Sequence, residues 1–305
     1  MGPIKKVGII GLGALGVMYA DMFTRALGKD QVLVLADAAR AARYRDSGVF
    51  FNGSRCDFDY QDAAAVKGPV DLLLFSVKFG GLEDAVATCR HLVGPDTTLL
   101  SVLNGIRSEQ ILSAAFRPEQ VVWCVAQKMS AQKQGNYATC TQTGELAIGV
   151  PAGQDAAHLR RLAAFFDLIG AAYALPADIR LHKWSKLLCN TSCNQAALVY
   201  QCGFRGLQQP GPARDTMIAA MREVVAVANA EGVGLTEQDV QDWVAVIDGL
   251  DPDFAPSMRQ DGIAHRRSEV ELFAGTICPL ARKHGIPVPV NDRLYEDIQK
   301  MEAVY

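Results

Sequence analysis

The chain has 305 residues, 30 basic against 33 acidic side chains and a net charge of −3, with half of its residues apolar and 21% charged. It is too long for one ordinary core and suits two domains. The near-neutral balance excludes the concentrated basic face of a nucleic-acid binder, and the apolar content excludes wholesale disorder. No apolar run reaches the length of a membrane span. The opening MGPIKKVGII enters a strand-like run without a signal-cleavage pattern, so the expected location is cytoplasmic.

In chain order, Ile4 to Ile10 reads as a strand, Gly16 to Ala26 as a helix, Val32 to Leu35 as a strand and Ala38 to Asp46 as a helix. The runs Val70 to Val77, Thr98 to Leu103 and Val121 to Ala126 read as further strands. Continuous apolar strands alternating with helices imply a parallel sheet covered on both faces, an α/β domain of the doubly wound (Rossmann) type. Residues 135–150 read as short antiparallel strands with turns. From Ala177 onward only helical patterns occur. These are Ile179 to Tyr200, Asp215 to Glu231, and a third helix opened by Thr236 with Asp239 at capping-box spacing. A fourth is opened by Ser257 with Gln260 three residues on and is closed by Gly285, and a last one could be capped by Asn291. The expected division is 1–176 for the α/β domain and 177–305 for an all-helical one.

Gly11-Leu12-Gly13-Ala14-Leu15-Gly16 fits G-x-G-x-x-G between a strand and a helix, the setting of a dinucleotide pyrophosphate site. Gly11 would permit the turn, Gly13 the approach of the phosphates and Gly16 the packing of helix on strand, with helix N–H groups facing the anion. Asp37, at the end of the second strand, stands where a carboxylate binds the adenosine ribose 2′-OH and repels a 2′-phosphate, or it caps the next helix. Arg40 and Arg43 follow within reach of a phosphate. Lys78 and Asn104 close the next two strands. They belong to the cofactor edge or, respectively, to a solvated loop and a turn before Gly105. Lys186, Asn190 and Asn194 fall at i, i+4 and i+8 on an otherwise apolar helix, which suits a polar cleft or a hydrogen-bonded packing face. Ser257 is an N-cap, a ligand contact or both. Glu269 is a site acid or an exposed ion-paired residue. Eight scattered cysteines suggest neither a disulfide framework nor a metal site, and Cys189 and Cys193 read as buried thiols.

The set GLGALG, SVK at 76–78, LNG at 103–105, WSKLLCNTSCN at 184–194, SMRQD at 257–261 with Glu269, and GIPVPVNDRLYE at 285–296 resembles the ketopantoate reductase family in order over nearly the whole chain. The resemblance implies a Rossmann domain followed by a helical domain like that of 6-phosphogluconate dehydrogenase. It also implies NAD(P)H-dependent reduction of the 2-oxo group of 2-dehydropantoate, a step of pantothenate biosynthesis. By resemblance Lys186 is the catalytic lysine, with Glu269 as the acid beside it. Asn190, Asn194, Ser257 and Asn104 bind substrate, while the glycine loop, Asp37, Lys78 and Asn104 bind the coenzyme. NADPH is the family's coenzyme, and Asp37 leaves NADH usable. The expected partner is a small 2-oxo acid, with neither nucleic acid nor membrane, and a homodimer is compatible with the family. Three positions depart from its pattern. Asp37 replaces an arginine, Phe254 an asparagine and Gln195 a proline. Phe254 leaves open a different 2-oxo acid, and a dinucleotide-binding regulator without turnover is the non-enzymatic alternative.

Overall fold

The computed structural model describes residues 1–305 and divides into two compact units, Met1–Asn104 with Ser108–Ile179, and Gly105–Arg107 with Arg180–Tyr305. The first unit begins β1 (Val7–Ile10), α1 (Ala14–Leu27), β2 (Val32–Ala36), α2 (Ala38–Ser47), β3 (Phe50–Phe51), β4 (Ser54–Arg55), β5 (Asp59–Asp62) and β6 (Leu72–Phe75). It continues α3 (Leu82–Cys89), β7 (Thr98–Ser101), α4 (Arg107–Ala115, its first residue in the second unit), β8 (Val121–Gln127), β9 (Ala131–Gln134), β10 (Tyr137–Cys140), β11 (Glu145–Gly149), α5 (Ala157–Ile169) and β12 (Tyr173–Ala174).

Eight strands form one sheet in the order β12-β11-β8-β7-β6-β1-β2-β5. From β5 to β8 every neighbouring pair is parallel, and β11 adds antiparallel to β8. The side chains explain why these runs are continuously apolar. Val34 and Leu74 point into one core with Phe23 and Phe166, whereas Leu35, Leu73 and Phe75 point into another with Leu82. A strand buried on both faces needs apolar residues at every position. Strand order reverses at β1, which pairs with β2 on one side and β6 on the other. Ligands of such sheets bind outside the carboxyl ends of the strands at that reversal. The strands at 70–77 and 98–103 are shorter than their apolar runs, so Ser76–Lys78 and Val102–Asn104 are free to form loops there. A second sheet, β4-β3-β10-β9, rests on α1, where the Cys140 thiol lies 3.5 Å from the Met18 sulfur.

The second unit is helical: α6 (Ile179–Cys189, its first residue still in the first unit), a π-helical turn (Asn190–Asn194), α7 (Gln195–Val199), α8 (Phe204–Gln208), α9 (Pro212–Ala230), α10 (Glu237–Asp248), α11 (Ser257–Ile263), α12 (Ala274–His284) and α13 (Pro289–Glu302). The capping box of α10 forms as expected, with Thr236 N–H donating to Asp239 Oδ2 at 2.8 Å.

Three expectations are corrected. The helix expected from Ser257 to Gly285 is two helices. After Ile263 the chain turns back, His265 adopts φ +48°, and both the backbone and the guanidinium of Arg266 bond Asp261. Glu269 therefore lies in a non-helical link just before a 3₁₀ turn, not three turns into a helix. Finally, Asn291 does not cap α13. It is buried in the first turn, where its N–H and its amide bond the Glu223 carboxylate at 2.9 and 2.8 Å.

Candidate active site

The glycine loop connects β1 to α1 at the reversal of strand order. Gly11 has φ +96°, and an added Cβ would lie 2.5 Å from the Ser76 carbonyl oxygen. At Gly16 a Cβ would lie 2.1 Å from the Gly11 carbonyl oxygen. Both are glycine because the protein leaves no room. Gly13 differs: its backbone is ordinary (φ −66°) and its nearest neighbour would be 3.5 Å from a Cβ. Nothing within the protein requires glycine there. As the N-cap of a helix with no side-chain cap and no acidic residue in its first turn, it faces unclaimed N–H donors. A group with a diffuse negative charge, such as a dinucleotide pyrophosphate, fits this cradle.

Asp37, exposed after β2, is the N-cap of α2. Its Oδ1 accepts from Arg40 N–H at 2.7 Å, and its Oδ2 lies 3.7 Å from Arg40 Nε. Of the two roles read for it, capping is the one made in this structure. Lys78 and Asn104 each stand three residues beyond their strands, Lys78 exposed before a 3₁₀ turn and Asn104 half-buried ahead of Gly105, whose φ is +79°.

In the second unit the sequence-selected residues gather around the π turn. Asn190 and Asn194 are buried at its two ends. Asn194 Oδ1 accepts from Ser257 Oγ at 3.0 Å and from Met258 N–H at 3.2 Å, which fixes its amide orientation and leaves its Nδ2 with no protein partner. The proposed capping box between Ser257 and Gln260 is not made. Pro256 is the N-cap, and Gln260 Nε2 donates instead to Ala255. Gln195 is fully buried. Its Nε2 donates to the Thr191 carbonyl at 2.7 Å and its Oε1 accepts from Ala274 N–H at 3.3 Å, so it holds the turn against α12.

Lys186 sits half-buried with its ammonium 5.3 Å from the centre of the Trp243 ring, and Trp243 Nε1 donates to Ser185 Oγ at 2.8 Å. The lysine is thus held by a cation–π contact on α10 rather than by a carboxylate, a hold worth about 0.5–2 kcal/mol. Glu269 is half-buried in its link and engaged elsewhere. Burial pushes the Cys189 and Cys193 thiols up, against the opposing charge of Lys186. A thiol held up in this way is a poor nucleophile. Sequence reading missed Trp243 and the π turn. A tryptophan in an otherwise acidic, exposed helix was the available signal for the first. For the second the run of small polar residues 190–194 gave a hint, since two of its hydroxyls, on Thr191 and Ser192, end buried without partners.

Residues 7–153 match the ketopantoate reductase PanE/ApbA family and residues 178–302 match its C-terminal domain. A 2-dehydropantoate 2-reductase of Mycobacterium tuberculosis is 32% identical over 238 residues, 75% of each chain. That of Shigella flexneri is 27% identical over 302 residues, 98% of this chain and 96% of its own. Among solved structures, D-mandelate dehydrogenase with NADH and anilino(oxo)acetate superimposes with TM-score 0.86 at 23% identity, covering 98% of both chains. A dimeric ketopantoate reductase from Staphylococcus aureus gives 0.81 at 24% identity, covering 98% of this chain and 99% of its own.

Proposed function

Because the chain belongs to the ketopantoate reductase family, we propose that it reduces the 2-oxo group of 2-dehydropantoate with a nicotinamide coenzyme, Lys186 acting as the acid. The observation that supports this most is the arrangement around the π turn. A lysine held only by an aromatic face and an asparagine with an uncommitted amide nitrogen stand on the same π-interrupted helix. The coenzyme, once bound, supplies the hydride. Addition to the carbonyl carbon leaves negative charge on its oxygen. Lys186 leaves the Trp243 face, hydrogen-bonds that oxygen and gives it a proton. The amides of Asn190 and Asn194 orient the substrate's polar groups, and Ser257 turns its hydroxyl hydrogen from Asn194 to the substrate carboxylate. Glu269, engaged elsewhere while Lys186 rests on Trp243, supports the lysine electrostatically once the lysine turns to the substrate, and Lys78 and Asn104 line the coenzyme edge of the sheet. The domain limits 1–176 and 177–305 assign coenzyme binding to the first part and substrate binding to the second. The assembly proposed is a homodimer and the location cytoplasmic. No helix is long and apolar enough to cross a membrane.

A second substrate reading has its own support. Phe254, three residues before Ser257, exposes 57% of its surface, an apolar ring where the family pattern has an asparagine. A 2-oxo acid with an apolar or aromatic side chain would use it better than the hydroxyl of 2-dehydropantoate. The test is the steady oxidation of NADPH and NADH by the purified protein with 2-dehydropantoate, 2-oxoisovalerate and phenylglyoxylate. Highest kcat/KM on 2-dehydropantoate supports the first reading, and highest on phenylglyoxylate the second. Turnover of none of the three, with coenzyme bound, would leave the regulator.

A further inference from the structure

One cation near the glycine loop takes no part in the chemistry at Lys186. Lys133 stands half-buried on β9, in the small sheet that rests on α1. Its ammonium donates to the carbonyl oxygen of Leu12, inside the glycine loop, and lies 5.9 Å from the centre of the Tyr44 ring on α2. Arg43, on the same helix, places its guanidinium 5.8 Å from that ring. Arg40, one turn earlier, completes the group. Burial and the charges of Arg40 and Arg43 together hold the Lys133 ammonium below its usual value, so the three cations feel one another. The sole carboxylate among them, Asp37, is spent on the cap of α2 and on Arg40. Neither Lys133 nor Arg43 has an ion-pair partner. Three cations with one carboxylate among them leave an excess of positive charge, which an anion of more than one negative charge relieves. A phosphate monoester has that charge and three acceptor oxygens for separate donors.

We propose that Lys133, together with Arg40 and Arg43, forms the site for the 2′-phosphate of the coenzyme's adenosine ribose, and that Lys133 is the residue that sets preference for NADPH over NADH. The inference rests on reading the glycine loop as the pyrophosphate site. It explains how a chain with an aspartate after the second strand accepts a phosphate: Asp37 faces its own helix, and the discriminating charge comes from β9, about a hundred residues further along the chain.

The experiment measures dissociation constants by calorimetry for NADPH, NADH, 2′,5′-ADP and 5′-ADP, with wild type, Lys133→Gln and Lys133→Arg. In wild type 2′,5′-ADP should bind roughly tenfold or more tightly than 5′-ADP. Lys133→Gln should shrink that ratio to about twofold, raise the Kd for NADPH about fivefold or more and leave NADH within about twofold, while Lys133→Arg restores most of the ratio. Melting curves establish that both variants are folded. Equal weakening of NADPH and NADH by Lys133→Gln would place Lys133 on the pyrophosphate, and an unchanged ratio would remove it from the site; either overturns the proposal. Wild type that binds both dinucleotides without discriminating overturns it while the coenzyme site stands. Wild type that binds neither overturns the coenzyme reading as well.

Discussion

At Gly16 an added Cβ would lie 2.1 Å from a backbone oxygen, whereas at Gly13 its nearest contact would be 3.5 Å away. The two positions therefore respond differently to the same substitution. Gly13→Val should keep the melting temperature close to that of wild type and abolish coenzyme binding, because its side chain fills only space the protein does not use. Gly16→Ala should cost about 1–3 kcal/mol, as overpacking does, and lower the melting temperature by roughly 2–4 °C per kcal/mol. Scanning calorimetry and coenzyme titration separate the two effects, and a Gly13 variant that melts early but binds normally would refute the assignment. Lys186→Ala should lower kcat by roughly 10²–10⁴-fold with coenzyme Kd unchanged; stopped-flow reduction at near-wild-type rate would dismiss it as the acid. The spacing of the three glycines was legible because it follows from turn geometry. Which of them the protein's own packing requires was not, because that depends in part on Ser76, sixty residues away. Asp37 shows the same limit. Its position is plain in the sequence, yet its bond to the Arg40 N–H depends on how α2 starts.

Among the elements, the π-interrupted helix of α6 and α7 and the short α11 depend on each other. Sequence periodicity gives one helix over 179–200 and places Lys186, Asn190 and Asn194 on one face. It does not reveal the π turn, which widens the spiral and lets Asn194 reach across to α11. There Asn194 accepts one of the N–H groups left open at a helix start, the task a local capping box would otherwise do. Long-range side-chain capping of this sort has no sequence signature. Gly262 shows the closeness of the contact, since a Cβ would meet the Leu198 side chain at 2.5 Å. Asn194→Ala should leave the buried Met258 N–H without an acceptor and destabilise the unit by about 1–3 kcal/mol. Asn194→Asp keeps the acceptor and should melt near wild type. It removes the amide donors and sets a negative charge against a carboxylate substrate, so KM should rise about tenfold or more. Equal KM values for Asn194→Asp and wild type would confine Asn194 to packing.

Across the molecule, the glycine loop of the first unit lies at the carboxyl ends of the strands, and a structural fastening lies at their amino ends. Arg161 of α5, with 7% of its side chain exposed, donates to the carbonyls of Gly2, Asp71 and Asp96 and to Asp71 Oδ1 at 2.8 Å. Asp71 Oδ2 accepts from the N–H groups of Lys5 and Lys6, both at 2.9 Å. Burial raises the Asp71 carboxyl, but the N–H groups of Lys6 and Lys5 and the Arg161 guanidinium outweigh it and hold it below the usual carboxylate value. A depressed folded-state pKa contributes stability that is complete above the unfolded value of about 3.9 and is lost as pH falls through the folded one. Asp71→Asn should therefore cost about 1–3 kcal/mol at pH 7, and nearly as much at pH 5.5, because it weakens charge-assisted bonds and leaves Arg161 buried with a weaker partner. As pH falls below about 4 the difference between wild type and variant should shrink, because the wild-type carboxyl is itself becoming neutral. Since two units need not unfold together, amide exchange in β1 and β6 is a better probe than a global denaturation curve. Coenzyme affinity should not change at pH 7, since Asp71 lies at the opposite ends of the strands from the glycine loop. A stability difference that stays constant from pH 7 to pH 3 would show that the Asp71 charge does not fasten the sheet.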